Sequence, residues 1–265
     1  MESSKCLTIP LQGTIVYGPI RSRRLGISLG INLLSPYRKI CSFDCIYCHY
    51  GKTGLLTNHS EPSSIYSIEE ILSGVENALK TCGRLDAITF SGNGEPTLHP
   101  NFPLLVKEVQ ILRDRLNPGV PIAVFTNGST LSDNPVREAL ETIELPLIKL
   151  DAGDQRTFEK INQPHAGIAL EELIQAMKRL KGLVLQSLFM KGSVDNHEGQ
   201  PYEAWLKTVG EIQPAKVQIY SLHSSEEGSG LEVLRPYELN KISEDVRDRL
   251  KINAEATWPA VEWLR

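Results

Sequence analysis

No stretch of this 265-residue sequence stays apolar for the roughly 20 residues a bilayer-spanning helix needs, which argues against an integral helical membrane protein. The N-terminus, MESSKCLTIPLQG, has neither the charged start nor the apolar core of a secretory signal. Basic residues are not in excess. With 28 Lys and Arg against 32 Asp and Glu the net charge is −4, so a nucleic-acid partner would need a local basic patch. There is no internal repeat, low-complexity tract or Pro/Gly/Ser linker to divide the chain. Five cysteines, an odd number in a long chain, make a poor disulfide framework. Three of them crowd into eight residues, while Cys6 and Cys82 stand apart and read as plain thiols. The expectation is a cytoplasmic, single-domain protein over residues 1–265. Its core would span about 16–250, with a C-terminal helix and short tail after about 238.

What the sequence does contain is an alternation of short β-branched runs and amphipathic segments. Strands are expected over 27–34, 86–90, 122–125, 147–150, 183–189 and 217–220. Ser67-Ile-Glu-Glu70 is a capping box that opens a helix running to about 81. Further helices fit 102–116, 135–143 with Pro135 in the first turn, 170–180, 202–212 and 238–252. Six strand–helix units predict an α/β fold with a parallel sheet, too few for the closed eight-stranded barrel. An open (β/α)6 partial TIM barrel is the first expectation, and a flat doubly wound sheet the second. Either places a site at the C-terminal strand ends.

Cys41-Ser-Phe-Asp-Cys45-Ile-Tyr-Cys48 follows the first expected strand with CxxxCxxC spacing. Thiolates hold iron–sulfur cubanes, usually four per cluster. Three leave one iron open to an exogenous ligand. The competing reading is zinc held by the three thiolates and His49. Structural zinc sites usually draw on two separated knuckles, and no second CxxC is present.

CxxxCxΦC, with the aromatic Φ supplied by Tyr47, resembles the signature of the radical S-adenosylmethionine (SAM) superfamily. The segments GPIRSRRLGISLGINLL, SGNGEPTLHP and KLDAGDQRTFEKINQPH look like the subgroup that includes the wyosine-base synthases acting on transfer RNA. The resemblance implies a [4Fe-4S] cluster on Cys41, Cys45 and Cys48, and S-adenosyl-L-methionine on its open iron. Gly92, Gly94 and Glu95 would then meet the methionine amino group, although Asn93 separates the two glycines. Thr126 and Asn127 would contact the methionine end or the ribose, and Tyr47 the adenine. Lys149 and Asp151, two residues apart on one strand face, would answer the cofactor's carboxylate, ammonium or ribose, or else form a local salt bridge with each other. Tyr220 to His223 form a further candidate contact, while Asp154 and Arg156 read as helix-cap or surface groups.

The resemblance also implies the reaction. A flavodoxin or ferredoxin would reduce the cluster, the cofactor would be cleaved to a 5′-deoxyadenosyl radical, and that radical would take hydrogen from an unidentified substrate. A nucleotide or transfer-RNA base is one candidate, although the additional cluster cysteines and longer extensions of wyosine synthases are not apparent. An activase or peptide-modifying enzyme is the alternative, and a non-enzymatic zinc module the third. Arg21, Arg23 and Arg24 form either an anion grip or a solvated face.

Overall fold

A computed structural model describes residues 9–22, 24–59, 66–223 and 230–258; Cys6 and Arg23 fall outside these. The chain opens with a hairpin, β1 (Val16–Ser22) antiparallel to β2 (Gly26–Ile31), followed by two short paired strands, β3 (Ile40–Cys41) and β4 (Leu55–Leu56). Strand and helix then alternate through α1 (Ile68–Thr81), β5 (Ala87–Phe90), α2 (Phe102–Leu116), β6 (Ile122–Thr126), α3 (Asn134–Glu141) and β7 (Leu145–Lys149). Two helices, α4 (Gln155–Asn162) and α5 (Leu170–Met177), lead to β8 (Val184–Gly192). The chain continues through α6 (Gly199–Ile212), β9 (Lys216–Ser221), β10 (Leu231–Val233) and α7 (Pro236–Asp245) to β11 (Ala254–Thr257).

The sheet runs β1-β2-β5-β6-β7-β8-β9-β11, with β10 antiparallel against β8. From β2 to β11 every neighbouring pair is parallel and follows chain order. A doubly wound sheet reverses its strand order partway. This one does not, and among the described residues its two ends do not pair. The fold is therefore the open α/β partial barrel expected from sequence, enlarged by a seventh parallel strand, β11, and the edge hairpin strand β1.

Each parallel strand has two differently populated faces. Ile88, Phe90, Ile122, Val124, Leu185 and Val217 share the outer face in register and are buried in the main core with the helices. Among them lies Trp205 of α6, whose indole N–H donates to the Leu150 carbonyl and to Ser187 Oγ. The inner face is apolar at its lower end, where Ala87, Ala123, Leu147 and Val184 cluster with Leu25. Above them stand polar pairs: Ser28 with Thr89 at 2.7 Å, and Gln186 donating to Gln218 at 2.8 Å.

One side chain reports the curvature. The Arg24 guanidinium carbon lies 5.1 Å from the Phe125 ring centroid on β6 and 4.5 Å from that of Tyr220 on β9. Strands three apart in a flat sheet would be about 14 Å from one another. The inner face is concave enough for one arginine to touch both.

Helix ends follow local rules. In α1 the Ser67 side chain accepts from the Glu70 N–H and the Glu70 carboxylate accepts from the Ser67 N–H, closing the capping box. Asp154 caps α4 by accepting from the Thr157 N–H, and Arg156 is exposed. Cys82 sits at the C-terminal end of α1. Among the described residues, no helix is long and apolar enough to cross a membrane.

Candidate active site

The thiol loop is held by a helix end. The last turn of an α-helix leaves carbonyls without partners. At α4 those of Asn162 and Gln163 accept the Asp44 N–H, at 3.1 and 3.0 Å, and that of Ile161 accepts the Ile46 N–H at 3.0 Å. The loop that presents Cys41, Cys45 and Cys48 is thereby pinned above the barrel's strand ends. Asn162, the last residue of α4, also donates its side-chain amide to Cys45 Sγ at 3.4 Å. Cys41 is buried, and its Sγ accepts from the Phe43 N–H and the Asn127 amide.

SGNGEP meets the same loop from the other side. Gly94 adopts φ +132°, and a Cβ there would lie 1.6 Å from the Ile40 carbonyl oxygen. Only glycine permits this approach. It lets the Ile40 N–H reach the Asn93 carbonyl and the Glu95 N–H reach the Ile40 carbonyl, at 2.9 and 3.0 Å. Gly92 (φ +128°) has no room for a Cβ against Asn32. Asn93 turns into the protein, where its amide donates to the Gln12 and Ser35 carbonyls. Both glycines therefore serve chain packing, whatever else passes near them.

Glu95 is 2% exposed. One carboxylate oxygen accepts from the Thr97 N–H, the Thr97 hydroxyl and the Thr126 hydroxyl, and the other from the Asn127 N–H at 2.7 Å. Burial lifts this carboxyl above the usual carboxylate range, and those donors restrain the rise. Oε2 keeps a lone pair for one more donor, which suits an ammonium group. Thr126 thus supports Glu95. Asn127 donates to Ser42 Oγ at 2.8 Å as well as to the Cys41 thiol, and so ties β6 to the thiol loop.

Lys149 and Asp151 do share a face, and they meet each other at 3.1 Å. Asp151 also accepts from the Tyr47 hydroxyl, the Asn162 amide at 2.8 Å and the Leu188 N–H at 2.8 Å. Burial works against the Lys149 charge. Asp151 and Tyr220 outweigh it and hold the amine above its ordinary value. Its Nζ donates to the Tyr220 hydroxyl at 2.5 Å and lies over the Tyr47 and Tyr220 rings. His49 and His223 stand edge to face, 6.4 Å between centroids.

Three functional side chains carried little signal in the sequence. Lys39 is a buried lysine among the thiols. Burial disfavours its charge, Cys48 and Cys41 favour it, and the net is an amine above its ordinary value. It donates to the Gly51 carbonyl at 2.8 Å and lies 3.8 Å from Asp44. Asn162 and Ser42 are the other two. The signal available for Asn162 was its place in KLDAGDQRTFEKINQPH, and for Lys39 its position two residues before the first cysteine.

The donor set discriminates between metals. Thiolates on a single zinc ion sit about 2.3 Å from it and so within about 4.6 Å of one another. Among the described residues, the triad of His, Cys, Asp or Glu ligand atoms found within 4.8 Å of one another is Asp195, His197 and Glu198, not the cysteines with or without His49. At least one pair of the three thiols therefore lies farther apart than two ligands of one zinc ion. Burial raises the thiol values, Cys45 to about 11 and Cys41 higher still. Such thiols ionise readily only when a metal takes the charge. The residues present fit an iron–sulfur group.

An open parallel barrel with three spaced thiols above its strand ends, backed by a buried carboxylate on a glycine turn, defines a radical SAM enzyme. The Radical SAM superfamily model matches residues 36–209, and the chain belongs to that superfamily. It is 35% identical over 212 residues to a UPF0026 protein of Methanocaldococcus jannaschii, covering 77% of this chain and 62% of that one. It is 32% identical over 209 residues to a UPF0026 protein of Synechocystis, covering 77% and 74%. Among solved structures, a radical SAM methyltransferase from Sphaerobacter thermophilus superposes with TM-score 0.62 at 15% identity, over 87% of this chain and 66% of that one. TYW1 with a lysine-pyruvate adduct bound superposes with TM-score 0.55 at 17% identity, over 83% and 73%. Both share the fold.

Proposed function

We propose that Cys41, Cys45 and Cys48 hold a [4Fe-4S] cluster with one open iron, and that S-adenosyl-L-methionine binds that iron beside Glu95. The chemistry the bound groups supply is one-electron reductive cleavage of the sulfonium to methionine and a 5′-deoxyadenosyl radical, which abstracts hydrogen from a substrate carbon. The electron comes from a flavodoxin or ferredoxin. The protein's own contribution is placement and exclusion of competing reactions.

Glu95, buried and with one lone pair unused, accepts the cofactor's ammonium group. Asn127, Asn162 and the Phe43 N–H direct donors at the sulfurs, which stabilises them as thiolates. The Lys39 ammonium offsets part of the negative charge that three thiolates bring into a buried site. The Lys149–Asp151–Tyr47 group holds the aromatic side of the loop against β7.

The observation that carries this reading is the gathering of the three thiols on one loop above the strand ends, with separate amide donors aimed at Cys41 and Cys45. Cys41→Ala is expected to abolish both the brown cluster absorption and 5′-deoxyadenosine formation under dithionite. A variant that still released 5′-deoxyadenosine would sink the proposal. Metal analysis of anaerobically prepared protein is expected to give about four irons and four sulfides per chain.

A further inference from the structure

The three-arginine run is divided by the fold. Arg21 is exposed on β1. Arg24, at the turn into β2, sends its guanidinium into the barrel, over the Phe125 and Tyr220 rings. There its Nη1 is buried and donates to nothing. Among the described residues no carboxylate lies within ion-pair distance of it, and Asp151, the acid paired with the Lys149 that shares the Tyr220 ring, is already engaged by Lys149, Tyr47, Asn162 and Leu188. Lower on the inner face, Glu255 is engaged by Lys216 and Gln218. Among the described residues, the Arg24 charge thus has no ion-pair partner in the lumen.

A buried guanidinium N–H without an acceptor is unfavourable, and aromatic contact compensates the charge without satisfying the donor. Beside it, the Tyr220 hydroxyl accepts from Lys149 and retains its own hydrogen for donation. We infer that the lumen below the strand ends binds a single oxyanion group of the substrate, a carboxylate or phosphate, through Arg24 Nη1 and the Tyr220 hydroxyl. A charge-assisted donor beside a neutral hydroxyl donor favours an anion over a neutral acceptor. The group would anchor the substrate from below, leaving its reacting carbon toward the cofactor. The inference rests on the radical SAM reading for the direction in which the substrate points, but not for the existence of the anion site.

The test uses cluster-loaded full-length protein under anaerobic conditions with S-adenosyl-L-methionine present. Inorganic phosphate and malonate are titrated in separate arms, at ionic strength held constant with chloride, by calorimetry. Wild type is expected to bind at least one of the two saturably, and the stronger arm names the anion class. Arg24→Gln is expected to weaken that binding at least tenfold. Arg24→Lys, which keeps the charge without the fork, falls between. Arg21→Gln, altered at an exposed position, should bind as wild type. Should Arg24→Gln fail to fold, the Arg24→Lys and Arg21→Gln pair decides. Equal binding by wild type and both Arg24 variants, or no saturable binding of either anion to wild type, overturns the inference. Iron and sulfide content of the same preparations reports on the cluster separately, so the two readings fail independently.

Discussion

Glu95 and His99, four residues apart, show how much a single side chain in this site depends on its partners. Replacing Glu95 by Gln would turn an NH2 group toward Thr97, Thr126 or Asn127, all of which donate to it now. We expect a loss of about 1–3 kcal/mol in urea unfolding of the metal-free protein, together with weaker S-adenosylmethionine binding. His99 is 2% exposed. Its ring meets the Tyr66 carbonyl through Nε2 and the Asn101 N–H through Nδ1. Burial pushes it below the ordinary imidazole value of 6.5, so below that pH the unfolded chain binds a proton that the folded chain refuses. Stability from this group is full above 6.5 and falls with decreasing pH, by up to about 1.4 kcal/mol per pH unit. Urea midpoints at pH 7.5 and 5.5 are expected to differ less in His99→Gln than in wild type. At this scale the sequence points to residues whose type and spacing carry chemistry, such as the cysteines and Glu95, and the structure gathers them around one loop. Beyond its place in KLDAGDQRTFEKINQPH the sequence said nothing of Asn162, because nothing local marks a contact made 117 positions from Cys45.

Elements were readable in proportion to their length and regularity. The six strands expected from β-branched runs all form, because runs such as Ala87–Phe90 are buried on both faces. β1 was missed because Gly18 and Pro19 interrupt VYGPIRS and most of its side chains are exposed. β10 and β11 were missed because they are short, and α4 because its eight residues lie in a segment rich in charge. Capping, by contrast, is a local code: the box at Ser67 was read correctly, and Asp154, given as a cap or surface group, caps α4. Ser67→Ala should cost about 1 kcal/mol by urea unfolding without altering cluster loading. Gly94→Ala is a different case, since the new methyl would meet the Ile40 carbonyl at a positive φ. A penalty on the order of 3 kcal/mol is expected. Reconstituted iron per chain should fall with it, and normal iron content in a stable Gly94→Ala protein would show that the turn and the thiol loop are not coupled.

Across the molecule, one apolar cluster runs from Leu29 of β2 to Ala254 of β11, with helices α1 to α7 all contributing to it. The sequence offers no composition shift at which to divide the chain, and this cluster draws on every helix from α1 to α7. Metal-free protein is therefore expected to unfold in a single step, with the tryptophan fluorescence and far-UV dichroism transitions superimposed. Separate transitions would show that the C-terminal α7–β11 portion forms a unit of its own. The number of parallel strands lay beyond the sequence reading. A four-residue edge strand such as β11 gains its stability from pairing with β9, not from its own pattern.

The contact between Gly94 and Ile40 also bears on how such a protein can be re-engineered. Two peptide segments more than 50 positions apart share hydrogen bonds in both directions, with no side chain between them. A thiol loop transplanted from another enzyme would bring its own backbone path and lose that match. The loop and the glycine turn must travel together as a single graft. Exchanges confined to the inner face of the barrel leave this joint untouched, so new substrates are best sought there.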